Sequence, residues 1–300
     1  MRIVLLALAW AIALVGQGAV AQETHILGLG RLFSNDLLGD GHDRWRTGST
    51  SFSVLTGQGW DGNLAGGPVL EYRLRTEIIM PGETVSQRSD RPYVGALSMG
   101  LHHHSTIGPA EVSVGADLVV IGPQTGLSDF QGWFHDQFSI PAPRGTDSQL
   151  GNATYIAGTA DVVWPVSLSP VTTLRPFVEA QAGVENTLRA GVDIVLGPVG
   201  QQDLWLRDGS TGQLYRGIQT AQTGFGFVIG ADIAQVNSSV YLPEDMGYIF
   251  EPMRWRARAG LHWQPTPDIS LFYGLAWLSP EFEGQDQGQL IGQIKLNFNF

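Results

Sequence analysis

The sequence predicts an all-β fold: a twelve-stranded antiparallel transmembrane β-barrel of the bacterial outer membrane, with a short helix in an extracellular loop. Three observations predict it. Apolar and polar residues alternate with period two along most of the chain, as strands with one lipid-facing and one lumen-facing side require. Charged residues make up only 15%, below the ~25% of ordinary soluble domains, while glycine reaches 39 residues and tryptophan 9. The chain also opens like an exported protein, and no later apolar run is long enough to cross a bilayer as a helix.

The opening residues carry the export signal. Arg2 supplies a positive start, Ile3–Val15 an apolar run, and Ala19-Val20-Ala21 a small-residue cleavage site. Residues 1–21 are therefore expected to be a signal peptide, with the barrel domain spanning 22–300. The chain has no cysteine, which removes disulfides and thiolate metal sites from consideration. A formal net charge of −11 argues against nucleic acid as a partner, and means that an anionic substrate needs local arginines or a metal ion to hold it.

The C-terminal stretch shows the alternation most plainly. Leu290, Ile294, Leu296, Phe298 and Phe300 share one face, and Ile291, Gln293, Lys295, Asn297 and Asn299 the other. An apolar outside, a polar inside and a terminal Phe match the closing strand of an outer-membrane barrel. In Met253–Trp263, Arg254, Arg256, Arg258 and His262 oppose Met253, Trp255, Leu261 and Trp263. In Leu70–Ile78, Glu71, Arg73, Arg75 and Glu77 oppose Leu70, Tyr72, Leu74 and Ile78. Facing rows of arginines and carboxylates predict a lumen filled by a charge network and not an open pore.

Twelve strands follow, at 24–33, 45–56, 69–79, 92–104, 109–121, 154–168, 173–186, 188–197, 222–235, 251–263, 268–278 and 289–300. Each is long enough for the roughly 9–11 residues of a tilted spanning strand. With both termini periplasmic, parity puts 34–44, 80–91 and 122–153 on the outer face. The segment 198–221 is long for a periplasmic turn, and Asp203–Arg216 has the makings of an extra hairpin around Asp208-Gly209.

Alternation stops in Gly126–Leu150. Ser128 is placed to cap a helix, Phe130, Phe134 and Phe138 fall at i, i+4 and i+8, and Pro141 ends it. His135 lies inside this helix. By spacing alone a solvated surface histidine is the commoner reading of such a residue. Parity, however, places it on the same rim as Asn35, Asp36 and Thr47. Asp90-Arg91 reads as a rim ion pair. In His102-His103-His104 a strand sends 102 and 104 to one face and 103 to the other.

Four motifs, taken in order, and a fifth before the last strand carry a family resemblance. Asn35-Asp36 ends the first strand, Asp43-Arg44-Trp45-Arg46-Thr47-Gly48 opens the second, and Asp90-Arg91-Pro92-Tyr93-Val94-Gly95 opens the fourth. Ile121-Gly122-Pro123 is followed by Gln131 and His135, and Glu281-Phe282-Glu283-Gly284-Gln285 precedes the last strand. Together these resemble the outer-membrane lipid A 3-O-deacylase family across nearly the whole mature chain.

That resemblance implies a calcium-dependent esterase at the outer rim. It makes His135 the general base, with Asn35, Asp36 and Thr47 as active-site residues. Asp36 and Thr47 become expected ligands of a Ca2+ cofactor, a hard cation that prefers oxygen donors. Gln131, one helical turn before His135, and Arg88, the basic residue nearest to a loop lysine of the family, are expected to bind substrate. The chain departs from the family at Pro141, where an acidic residue usually follows the histidine by six positions, and at Thr146, where Gly-Trp is usual. Asp36, Asp136 and Asp147 are the expected candidates to orient the imidazole instead.

The function expected is hydrolysis of the 3-position ester-linked acyl chain of lipopolysaccharide in the outer leaflet. The partners are then lipid A and outer-membrane lipid, and a monomer is expected. The absence of a G-x-S-x-G elbow agrees with a water nucleophile. An outer-membrane phospholipase-type hydrolase is the alternative enzyme, and a non-catalytic structural or pore barrel the alternative of another class.

Overall fold

A computed structural model describes residues 24–298 except 83, 86 and 87. The signal-peptide expectation for 1–21 and the terminal Phe300 lie outside the described residues. In chain order the strands are β1 (His25–Asn35), β2 (Trp45–Gly57), β3 (Val69–Met80), the short pair β4 (Thr84–Val85) and β5 (Arg88–Ser89), β6 (Val94–Ile107) and β7 (Ala110–Ile121). One helix, α1 (Leu127–Phe138), separates these from β8 (Ala153–Val163), β9 (Val166–Ser169), β10 (Thr172–Ala182) and β11 (Glu185–Leu196). The chain finishes with β12 (Leu204–Arg207), β13 (Leu214–Ile218), β14 (Gly224–Ser239), β15 (Met253–Thr266), β16 (Ile269–Leu278) and β17 (Gln289–Phe298).

Each wall strand pairs antiparallel with its chain neighbours in the wall, and β17 returns to β1 through Phe33↔Ile294 and Asn35↔Gly292. The sheet is thus closed and leaves no open edge in lipid. β8 and β9 lie end to end along β10 and form one wall strand, interrupted at Pro165, which has no N–H to give the ladder. Counted this way the wall has the twelve strands expected. The β10–β11 turn falls at Gly183-Val184, earlier than the predicted break at residue 187. Gly183 takes φ +124, and its N–H donates to the Asn186 side chain at 3.0 Å, which closes the turn there. Val184 accordingly packs in a buried cluster with Tyr241 and does not face lipid.

The two faces of the wall are sorted as the alternation requires. In β15, Arg254, Arg256, Arg258 and His262 are buried while Met253, Trp255, Leu261 and Trp263 are exposed to the lipid side. In β17, Gln293, Lys295 and Asn297 point inward and Ile294 and Leu296 outward.

The segment 198–221 does form the extra hairpin, and it folds up into the lumen. Leu204, Leu206, Tyr215 and Ile218 of β12 and β13 pack on Leu32, Leu55 and Phe272 of the inner wall. At its tip, Arg256 Nη1 donates to Gly209 O at 2.9 Å, Ser51 Oγ to Asp208 at 3.1 Å and Gln293 Nε2 to Thr211 at 2.7 Å. Farther out a lattice of ions closes the barrel: Arg46 meets Glu281 at 2.5 Å, Glu77 at 2.6 Å and Glu185 at 3.2 Å, and Arg254 meets Glu185 at 2.9 Å. Charges removed from water need such pairing to be tolerated at all.

Two motif readings change. Asp90 and Arg91 do not pair with each other: Asp90 accepts from Trp45 Nε1 at 3.0 Å, and the fully buried Arg91 meets Glu281 at 2.8 Å. His102 and His104 share the inner face as expected. Their rings are taken up by Asp117 at 3.1 Å and Glu71 at 2.8 Å, in the half of the barrel away from the outer rim.

Candidate active site

The site is assembled by three loops at the outer rim. At the end of β1, Asn35 caps a 3-10 turn, Asp36–Leu38, its Oδ1 accepting the Leu37 N–H at 2.9 Å. The turn is clamped against β17. A Cβ on Gly39 would meet Leu290 O at 2.1 Å, and one on Gly292 would meet Leu38 O at 2.2 Å, so only glycines permit the approach. This contact holds Asp36 in place. Its side chain is 1% exposed, Oδ2 accepts the Arg44 N–H at 2.8 Å, and Oδ1 accepts from Thr47 Oγ1 at 3.2 Å.

Thr47 reaches the same point from an inward position of β2, in phase with Ser49 and Ser51, and the strand begins with a bulge. Trp45 pairs with Met80 but Gly48 with Ile78, so Arg46 and Thr47 together oppose Ile79. Strict alternation would turn Arg46 toward lipid. The bulge turns it inward beside Thr47, where it joins the ion lattice beneath the site. Trp45, ahead of the bulge, adopts φ 52, a conformation that L side chains seldom take. It is held there by the Asp90 hydrogen bond and by the Arg44 guanidinium, 4.3 Å from its ring. Asp43 Oδ1 lies against the same Thr47 hydroxyl, so two carboxylates converge on one O–H, which has a single proton to share between them.

His135 comes from the third loop. α1 starts at Leu127, ahead of Ser128, the cap that the sequence predicts. Its N-cap is Gly126 in the left-handed conformation, and Ser128 makes no cap; its hydroxyl accepts from Gln149 at 3.4 Å. The helix stops at Ser139, also left-handed, before Pro141 is reached. Its buried side is polar, with Gln131 and His135 turned inward, while Phe130, Phe134 and Phe138 stay exposed. His135 Nδ1 lies 2.6 Å from Pro141 O, and Nε2 lies 3.4 Å from Asp43 Oδ2.

The imidazole is therefore oriented by a backbone carbonyl. None of the expected acids, Asp36, Asp136 or Asp147, does this. Pro141, the departure from the family pattern, supplies the partner through its main chain, and a main-chain oxygen is indifferent to the side chain that carries it. A carbonyl can only accept, so Nδ1 must donate and Nε2 is the nitrogen left to act as base.

The structure thus brings Asn35, Asp36, Thr47 and His135 together with Asp43 of the motif that opens the second strand. Gln131 is placed differently from the expectation of a substrate contact. It is buried, accepts from the Tyr93 hydroxyl at 2.9 Å and donates toward Met80 Sδ at 3.5 Å, which makes it part of the seat of α1. The side chain of Arg88 lies outside the described residues. A cleft of about 480 Å³ opens over Asp43, with Arg44 and Arg144 in its lining.

The electrostatics favour a cation. Burial pushes the Asp36 carboxyl up to about 8, with the neighbouring Asp43 adding to the rise and the bonds from Arg44 N–H and Thr47 opposing it. No cationic side chain pairs with Asp36 among the described residues. Glu281 behaves in the opposite way. Burial raises its carboxyl, but Arg46, Arg254 and Arg91 outweigh that and hold it below the usual carboxylate range. No set of three or more His, Cys, Asp or Glu side chains among the described residues forms a ready-made metal centre. The donors present are two carboxylates and a hydroxyl, all hard oxygens, which fit a divalent cation of the calcium class that completes its shell with water or substrate.

Comparison with known proteins agrees with this architecture. LpxR from Salmonella typhimurium superposes with a TM-score of 0.74 at 16% identity, covering 93% of this chain and 100% of that one, a likeness of fold. The NanC porin matches at a TM-score of 0.42 and 9% identity over 91% of this chain and all of its own, too remote to bear on the site. No curated protein matches the sequence significantly. The sequence matches the family described as outer membrane protein LpxR over residues 4–300, and the chain, a closed outer-membrane β-barrel, belongs to that family.

Proposed function

We propose that this protein is a lipid A 3-O-deacylase, hydrolysing the ester-linked acyl chain at the 3-position of lipopolysaccharide in the outer leaflet. The observation that carries the reading is the seating of His135. Its Nδ1 is committed to Pro141 O, and its Nε2 is turned toward Asp43, beside Thr47 and Asp36.

His135 Nε2 takes a proton from water as the water oxygen bonds to the ester carbonyl carbon. Collapse of the tetrahedral intermediate breaks the bond to the sugar oxygen, which recovers that proton and leaves as the 3-hydroxyl; the acyl chain departs as a free fatty acid. Asn35, whose Oδ1 is occupied by the Leu37 N–H, keeps its amide N–H groups as donors to the oxyanion. Asp36, Asp43 and Thr47 would hold the divalent cation. When bound there, it polarises the ester carbonyl and offsets charge on the oxyanion. Arg44 and Arg144 at the cleft answer the need for local positive charge toward an anionic head group. The pore alternative is opposed by the hairpin and ion lattice that fill the lumen.

The test is mass spectrometry of lipid A from a host without such activity, expressing the parent chain or His135→Ala, with and without a calcium chelator. Loss of one 3-linked hydroxyacyl chain with the parent alone, abolished by chelation, is the expected result. Unchanged lipid A with a folded parent chain overturns the assignment, and release of fatty acid from phospholipid alone transfers it to the phospholipase reading.

A further inference from the structure

α1 is amphipathic in an unusual sense: its polar side is buried and its aromatic side is bare. Phe130, Trp133, Phe134 and Phe138 are 55%, 57%, 39% and 64% exposed. At 100° per residue they share one flank of the helix, which also carries the exposed Gln137, while Gln131 and His135 fall on the adjoining buried side and Asp129 and Asp136 on a third, exposed side. The four rings form a connected strip, with centroids 5.9 Å apart for Phe130–Trp133, 6.4 Å for Phe130–Phe134 and 4.6 Å for Phe134–Phe138. Four large bare aromatics on one flank are a patch, and a patch of this kind has an occupant.

The height of the helix identifies the occupant. The first turn of α1 rests on the barrel wall: a Cβ on Gly95, the second residue of β6, would meet the Leu127 side chain at 3.1 Å. Just below, on the neighbouring strands, Leu118 and Ile156 are paired in register and face lipid, 49% and 75% exposed. At about 3.3 Å per residue, Leu118 is roughly 10 Å from the end of its strand, so the lipid-facing wall runs up to within a turn or two of the helix. The exposed aromatic flank thus belongs to a helix whose first turn stands on the outer end of that wall, and the two aspartates lie on a different exposed side of the helix.

We propose that α1 lies in the outer-leaflet interface with Phe130, Trp133, Phe134 and Phe138 embedded among the acyl chains of the surrounding lipid. Because the same helix carries His135 on its adjoining side, the embedded flank sets the depth of the base relative to the leaflet. That second statement rests on the deacylase reading; the lipid contact does not.

The absence of cysteine makes the test direct. Single cysteines at 130, 133, 134 and 138, and at 129 and 136, carry nitroxide spin labels in the full chain reconstituted into phosphatidylcholine–phosphatidylglycerol vesicles. Relaxation by lipid-soluble oxygen and by a water-soluble nickel chelate is then compared. The four aromatic positions are expected to favour oxygen by several-fold over nickel, and 129 and 136 to show the reverse. Nickel-dominated relaxation at all six positions overturns the proposal by placing the flank in water. Loss of access to both reagents with dipolar broadening overturns it in favour of a second copy of the chain. Because the labels sit on exposed side chains the barrel is expected to fold, which heat-modifiable mobility verifies. The readout needs no catalysis, so a failed lipid contact is separable from a failed enzyme assignment. Replacing the four aromatics by serine should then cut turnover of vesicle-embedded lipid A at least tenfold while sparing detergent-dispersed substrate.

Discussion

Replacing Asp36 by asparagine isolates the electrostatic cost of the candidate site. Asp36 is buried without a cationic partner among the described residues, and its carboxyl is pushed up from 3.8 to about 8. The folded chain therefore holds on to a proton that the unfolded chain releases. The sign follows: a raised acid costs nothing below its unfolded value, costs progressively more as pH rises from about 4 to about 8, and the cost is constant above that. At about 1.4 kcal/mol per unit, the span from 3.8 to 7 amounts to roughly 4 kcal/mol at pH 7 as an upper figure, before any relaxation of the loop. Asp36→Asn keeps an acceptor for the Arg44 N–H and removes the ionisation. In chelator the variant should be more stable than the parent by about 2–4 kcal/mol near pH 8 and by close to nothing near pH 4. Millimolar Ca2+ should stabilise the parent and leave the variant unmoved. Guanidinium unfolding of the refolded barrel in detergent, followed by tryptophan fluorescence at several pH values, measures all of this. A variant less stable than the parent in chelator at pH 8, or a difference flat with pH, refutes the reasoning.

Tyr93→Phe removes the donor that holds the buried Gln131, a loss of about 1–3 kcal/mol confined to the seat of α1. Hydrogen exchange over 127–138 should rise and kcat should fall more than KM, while the barrel still migrates as folded; unaltered exchange would show that Gln131 does not anchor the helix. Replacing 204–218 by a short Gly-Ser linker takes the hairpin out of the lumen and removes one of the partners of wall charges such as Asp193, which pairs with Arg207 at 2.9 Å and with Arg258 at 2.6 Å. The variant should conduct ions in planar bilayers and unfold at lower denaturant than the parent, and a parent that conducts as readily would contradict a plugged lumen.

How much of this was legible in the sequence follows from how far each signal reaches. Strand identity is a local property: with period two, a few residues show which side meets lipid, and β15 and β17 carry their two faces openly. The closed wall of twelve strands and the common rim for Asn35, Asp36, Thr47 and His135 follow from counting such strands, because parity fixes sides. The β10–β11 turn was displaced because alternation continues through Gly183-Val184 and only a φ of +124 marks the corner.

Tertiary structure decided the rest. The length of 198–221 marked a hairpin, but only packing against Leu32, Leu55 and Phe272 places it inside the barrel. The partner of His135 was sought among acids, yet it is the main-chain oxygen of Pro141, and a backbone carbonyl leaves no trace in side-chain identity. Asp43 stood in a recognisable motif, but its carboxylate meets Thr47 and His135 only when the bulge after Trp45 and the clamped turn at Gly39 and Gly292 bring three loops together. The phenylalanine spacing of α1 announced a helix and could not say which way it faced. In a barrel the polar side turns inward and the aromatic side outward, because the solvent beyond the wall is lipid and not water.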